Sequence, residues 1–193
     1  MSLIEKFIPA KVRDTLNKIF PDTEIRRDLS LVLSEAAPLF KAAGEQEATQ
    51  QNLRNVFNDV ALILPLIQKF LDKGKFPGTF EAIGIAATYG PVFSRMNGNP
   101  LIETAFKNPG PELTAIYDKL QEKDNVQQAL KRVLLKPAGQ EVLTLQEENG
   151  KFYAAESLSG AGIKFPLRED IYKAALAART PQNPPQPPKG PGV

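Results

Sequence analysis

The sequence contains no cysteine and no histidine. Without cysteine there is no disulfide framework, no thiolate zinc cluster and no thiol nucleophile, and without histidine there is no Ser-His-Asp triad and no imidazole general base. Charge of one sign is not in excess either. Its 24 basic and 22 acidic residues leave a formal net charge of +2, and both signs are spread along the chain, so no strong steering field is expected. The longest uncharged stretch, Ala82 to Ser94, is too short to span a bilayer and is broken by Gly84, Gly90 and Pro91. Glu5 and Lys6 interrupt Leu3, Ile4, Phe7 and Ile8 at once, which argues against a secretory signal. The expected setting is the cytoplasm or the interior of a macromolecular assembly.

What is present is the balance of a soluble globular chain: 193 residues, 42% hydrophobic and 24% charged. A chain of this length buries roughly 70% of its unfolded surface and needs no covalent or metal staple.

Ser2 and Glu5 have capping-box spacing, and Pro9 suits the first turn of a helix with Val12, Leu16, Ile19 and Phe20 on one face, ended by Pro21. Asp22 or Thr23 can cap a second helix, whose stripe runs from Ile25 to Ala43 and which Gly44 is expected to close. Pro38 inside it predicts a kink or a break. A third stripe, Leu53, Val56, Phe57, Val60, Leu64, Ile67 and Leu71, ends at Gly74. Its middle is apolar all round, as in a helix surrounded by others, and Pro65 predicts a bend there. Thr79 is expected to cap a fourth element carrying Phe80, Ile83, Ala87 and Tyr89, in which Gly84, Ala86, Ala87 and Gly90 would admit a neighbouring backbone.

Pro100 and Pro111 each read as first-turn residues of further helices, and Leu113 to Leu120 and Val126 to Leu134 form two short stripes. Val142 to Gln146 and Phe152 to Ala155 flank Asn149-Gly150, the dipeptide of a tight hairpin. Pro166 is expected to open a last helix through Ile171, Ala175 and Ala178. Six of the 17 prolines fall between Pro181 and Pro191, which favours an extended polyproline conformation. The fold expected is mainly α: a multi-helix globule of six to eight proline-kinked helices over 1–180, with one hairpin at about 142–155 and an extended proline-rich tail over 181–193. Boundaries near Gly98 or Pro137 are conceivable, but neither has a linker composition.

Chemistry-bearing patterns are few. Gly74-Lys75 and Gly150-Lys151 lack the flanking residues of a phosphate loop, and Ser159-Gly160-Ala161-Gly162 lacks the third glycine of a dinucleotide fingerprint. Glu147 and Glu148 are adjacent at the hairpin tip, where a solvated turn explains them better than a catalytic pair, and Glu35, Asp59 and Glu103 read as polar-face residues. No calcium-type loop and no cofactor is implied.

Lys131, Arg132 and Lys136 form a basic cluster with no acidic residue from Val126 to Gln140. A basic helix followed by a hairpin has the outline of a winged-helix nucleic-acid reader, although cations at a helix end also suit the helix dipole. Leu3, Ile4, Phe7 and Ile8 with Lys6 and Lys11 read as a docked N-terminal helix in preference to a membrane anchor. Pro184, Pro185, Pro187, Pro188 and Lys189 have the Pro-x-x-Pro-x-Lys arrangement that aromatic-lined grooves accept.

The function expected is therefore a non-enzymatic structural or interaction protein, an assembly subunit that docks on protein partners or copies of itself through its proline-rich arm. The alternatives are a nucleic-acid-associated protein using Lys131, Arg132 and Lys136, and a helical protein in which Pro38, Pro65 and Pro91 hold helices apart around a small apolar ligand.

Overall fold

A computed structural model describes residues 8, 10–136, 141–156 and 162–179. Among these, eight helices and three strands follow one another: α1 (Ala10–Ile19), α2 (Thr23–Gly44), α3 (Gln51–Lys73), α4 (Thr79–Met96), α5 (Pro100–Lys107), α6 (Pro111–Gln121), α7 (Asp124–Leu134), β1 (Leu143–Glu148), β2 (Lys151–Glu156), β3 (Lys164–Leu167) and α8 (Glu169–Arg179). The architecture is mainly helical with a small antiparallel sheet near the C-terminal side, in agreement with the periodicity. The proline-rich tail and the Ser2–Glu5 capping box lie outside the described residues.

Local chemistry explains most boundaries. Asp22 caps α2, its Oδ1 accepting the Ile25 amide at 2.9 Å, and Asn99 caps α5 by accepting the Leu101 amide at 3.0 Å. Gly74 ends α3 at φ 66°, with its amide turned back to the Phe70 and Leu71 carbonyls. Asn149 and Gly150, at φ 51° and 73°, form the two-residue turn between β1 and β2.

The core is built on α2 and α3, which pack as an antiparallel hairpin. Gly44 lies against Asn58 at one end, and the Ser30 hydroxyl donates to Asp72 at the other. Gly44 closes α2 as expected, without a left-handed turn. It is the last helical residue, and a Cβ there would stand 2.1 Å from Asn58 Oδ1, so close approach of α3 is what places the glycine. Neither proline interrupts its helix, so the break considered at Pro38 does not occur.

One hydrophobic cluster joins α2, the first half of α3, α6, α7, α8 and the sheet; another joins α1, the second half of α3 and α4. The buried stripe of α3 turns as it passes from one to the other. After Val60 it continues through Ile63, Leu66 and Phe70, while Leu64 and Ile67 are half-buried and Leu62 and Pro65 face solvent. The helix is therefore flanked on one side and open on the other, not surrounded.

Two further expectations are corrected. Thr79 is the first residue of α4 and Gly78 precedes it as the cap, without a side-chain bond. Pro166 does not open a helix but sits in β3, opposite Tyr153, and the last helix begins at Glu169. An edge strand tolerates a residue with no amide donor.

The Pro166 carbonyl accepts from the fully buried Gln121 Nε2 at 2.8 Å, and Gln121 Oε1 accepts the Arg168 amide at 2.9 Å. One side chain at the end of α6 thus satisfies backbone in β3 and at Arg168, the residue that joins β3 to α8. Gln121→Leu should destabilise the fold by about 3 kcal/mol, because buried backbone groups lose their partners. Urea unfolding measures this, and a change within experimental error would contradict the role given to Gln121.

Candidate functional site

The basic cluster is not a free patch. α7 crosses α2 with its cations turned onto the carboxylates of that helix. Arg132 Nε and Nη2 donate to Asp28 Oδ2 and Oδ1 at 2.9 and 2.7 Å, a bidentate pair, and the Asp28 side chain is only 3% exposed. Lys136 Nζ stands 3.0 Å from Asp22 Oδ2, and Lys123, which precedes α7, pairs with Glu35. Of the three residues proposed for nucleic acid, Lys131 alone makes no ion pair with a described residue. At the hairpin tip Glu147 and Glu148 are exposed, and Glu148 pairs with Lys164 at 2.7 Å. That geometry is a solvated turn with a cross-strand ion pair, not two carboxylates held across a cleft.

Electrostatics follow from these contacts. The Asp28 carboxylate raises the Arg132 guanidinium above its ordinary pKa through a hydrogen bond and its charge. The Lys123 and Asn125 side chains lower the Glu35 carboxyl, and the Ile25 amide, then Lys136, lower Asp22.

α4 carries the second feature. Glu81 receives Lys69 and Lys73 from α3 at 2.8 and 2.7 Å, and these ammonium groups bring its carboxyl down to about 2. Arg95 holds Asp59 in a bidentate pair at 2.7 and 3.2 Å; Asp59 is buried, contrary to its expected place on a polar face. With Ala82, Ile85, Val92 and Phe93 also packed inward, the opposite face is left uncovered by the described residues. Phe80 is 92% exposed and Ile83 52%, and Gly84, Ala87, Thr88 and Pro91 continue the same exposed surface. A Cβ added at Gly84 or Gly90 would meet nothing within 4 Å among the described residues, so these small residues admit no neighbour from that part of the chain. The uncharged run Ala82 to Ser94 was the available signal in the sequence, but it does not say which face is covered.

The third feature is a solvent-open groove of about 550 Å³ between α2 and α3. Pro38 and Pro65 both line it, with Ser34, Ala37, Ala61 and Leu62; Pro91 does not. A smaller apolar cavity of about 100 Å³ lies between α1, α3 and α4, lined by Ile8, Val12, Ile63, Leu66, Phe70 and Phe93 among others.

The remaining candidates are accounted for by conformation. Gly74 and Gly150 serve a helix end and a turn. No cluster of three acidic, histidine or cysteine side chains that could hold a metal ion occurs among the described residues. No described helix is long and apolar enough to cross a membrane. Pro184, Pro185, Pro187, Pro188 and Lys189, residues Ser159 to Ala161, and Leu3, Ile4, Lys6 and Phe7 lie outside the described residues. Compared with known proteins, the chain matches no family model, no curated protein and no solved structure.

Arg132→Ala should destabilise the fold by about 3 kcal/mol, since it strands a buried carboxylate, whereas Lys131→Ala should change stability by no more than about 0.5 kcal/mol. Equal effects in chemical unfolding would contradict the assignment. The pH dependence has a definite sign as well. Asp22, Glu35 and Glu81 all have carboxyls lowered by folding, so their contribution is complete above about pH 5 and is lost as the pH falls toward 2. Thermal unfolding across this range should show a Tm that is level near neutrality and drops in acid; a constant Tm down to about pH 2.5 would refute it.

Proposed function

We propose that this protein is a non-enzymatic structural or interaction protein, a subunit that assembles with protein partners or with copies of itself. The observation that carries the reading is the outer face of α4, with Phe80 92% exposed beside Ile83. Covering a side chain of that size is worth about 1.5–3 kcal/mol, so an exposed phenylalanine at the start of an uncharged helical face favours a partner surface. Gly84 and Ala87 lie along the same face and permit close approach of a second backbone. Glu81 and Arg95, the charged residues of α4, are engaged with α3, so the approaching surface meets no unpaired ion within this helix.

The proline-rich segment with Pro184, Pro185, Pro187, Pro188 and Lys189 is the second proposed contact, an extended docking arm; it rests on composition alone. The lack of histidine and cysteine supports the non-enzymatic part of the reading. Nucleic-acid contact through Lys131, Arg132 and Lys136 has weaker support, because two of the three would have to leave carboxylates on α2.

The test is the mass in solution, by light scattering on a sizing column, of the full chain, of Phe80→Ser and of a chain ending at Thr180. The full chain should exceed the monomer mass or retain a partner. Both variants should weaken that association, and Phe80→Ser should leave unfolding stability within about 0.5 kcal/mol, since the side chain is 92% exposed. Unchanged oligomer size and partner recovery in all three would remove the docking role.

A further inference from the structure

The groove between α2 and α3 has a chemical feature that neither helix would show alone. Pro38 and Pro65 have no amide hydrogen, so the carbonyls of Ser34 and Ala61, four residues earlier, lack their regular helical donors. Ser34 and Ala61 themselves line the groove together with the two prolines. A helical carbonyl points along the axis toward residue i+4. Each freed carbonyl therefore lies on the groove wall, between two residues that line it.

The antiparallel packing then brings the two together. Gly44 lies against Asn58 and Ser30 bonds Asp72, so Pro38 and Pro65 are nearly level across the groove. Carbonyls point toward the C-terminal end of their own helix. The Ser34 and Ala61 oxygens thus aim at the middle of the groove from opposite ends and opposite walls. Between them lie Ala37, Leu62 and both proline rings, and Lys41, Glu45, Asn58 and Gln68 complete the lining of the groove.

We propose that this groove binds a short extended peptide segment of a partner protein, which donates two consecutive backbone amides, one to each carbonyl. Successive residues of an extended chain rise about 3.3 Å and point to opposite sides, matching acceptors that are staggered on facing walls. The apolar rings and Leu62 take the small side chains between them. Other occupants fit the chemistry less well. A helix uses its amides internally, an apolar small molecule would dehydrate two carbonyls without replacing their bonds, and the proline-rich arm of this chain has adjacent amides at three places only, Gln182-Asn183, Lys189-Gly190 and Gly192-Val193. This site is separate from the α4 face, and either can fail without the other.

The experiment is a selection of displayed random heptapeptides on the full chain. Enriched sequences, made as free peptides, should shift amide NMR signals around Ser34 and Ala61. Replacing both prolines (Pro38→Ala with Pro65→Ala) returns an amide donor to each carbonyl and should weaken the peptides about tenfold or more, while thermal unfolding confirms that the fold is kept. Methylating the two donating amide nitrogens of the peptide should cause a similar loss on the unaltered protein. A selection that enriches no sequence overturns the proposal. So does a peptide whose affinity survives both the double substitution and the methylation.

Discussion

The pair between Asp28 and Arg132 is the contact on which the arrangement of the larger core depends. A carboxylate at 3% exposure on the inner side of α2 requires a counter-ion, and the bidentate geometry at 2.7 and 2.9 Å admits one orientation of the guanidinium. That orientation sets how α7 lies over α2. Lys136 on Asp22 and Lys123 on Glu35 hold the two ends of the same crossing, so the angle is determined at three points along the helix pair. Pairs of this kind contribute more to register than to net stability, because desolvation offsets much of the attraction. From α7 the constraint passes to α8, where Arg179 donates to the Leu134 and Leu143 carbonyls at 2.6 and 2.9 Å and ties the last helix to the end of α7 and the start of β1.

The sheet depends on a second, uncharged device. The three short strands are held by packing on one face, where Tyr117 of α6 meets Phe165 and Tyr172 of α8 meets Phe152. Gln121 supplies the polar counterpart, meeting the backbone at Pro166 and Arg168. Proline in β3 is then compatible with a buried environment, since its carbonyl has a partner and its nitrogen needs none.

These interactions explain what could be read from the residues and what could not. Caps and turns were legible because they are local: Asp22 with Ile25, Asn99 with Leu101, and Asn149-Gly150 each act within three residues. Amphipathic stripes in α6 and α7 were legible because all of Leu113, Ile116, Tyr117, Leu120, Val126, Ala129, Leu130, Val133 and Leu134 are buried. The meaning of the basic cluster was not, because Arg132 meets a carboxylate 104 positions away and Lys136 one 114 away. β3 was missed for the same reason: four residues containing proline carry no periodicity, and a glutamine on another helix completes them. In α3 the expected stripe followed one straight face, whereas the partners change along its length and the buried face turns with them. The exposure of Phe80 depended on knowing where α3 lies relative to α4.

Seen from the surface, the same pairings decide what kind of recognition the molecule can offer. Acidic groups of α2 meet basic groups of α7, and the charges of α4 meet α3, so ion pairing is largely directed between helices of the chain. Two outward surfaces offer apolar area: the side of α4 with Phe80 and Ile83, and the α2–α3 groove, where Ala37, Leu62 and two proline rings stand beside the proline-freed carbonyls. Recognition by such surfaces rests on shape, on burial of apolar area and on hydrogen bonds to the main chain, and it would respond weakly to ionic strength. Internal charge pairing and the proposed role in protein assembly are, on this view, two consequences of one distribution of residues.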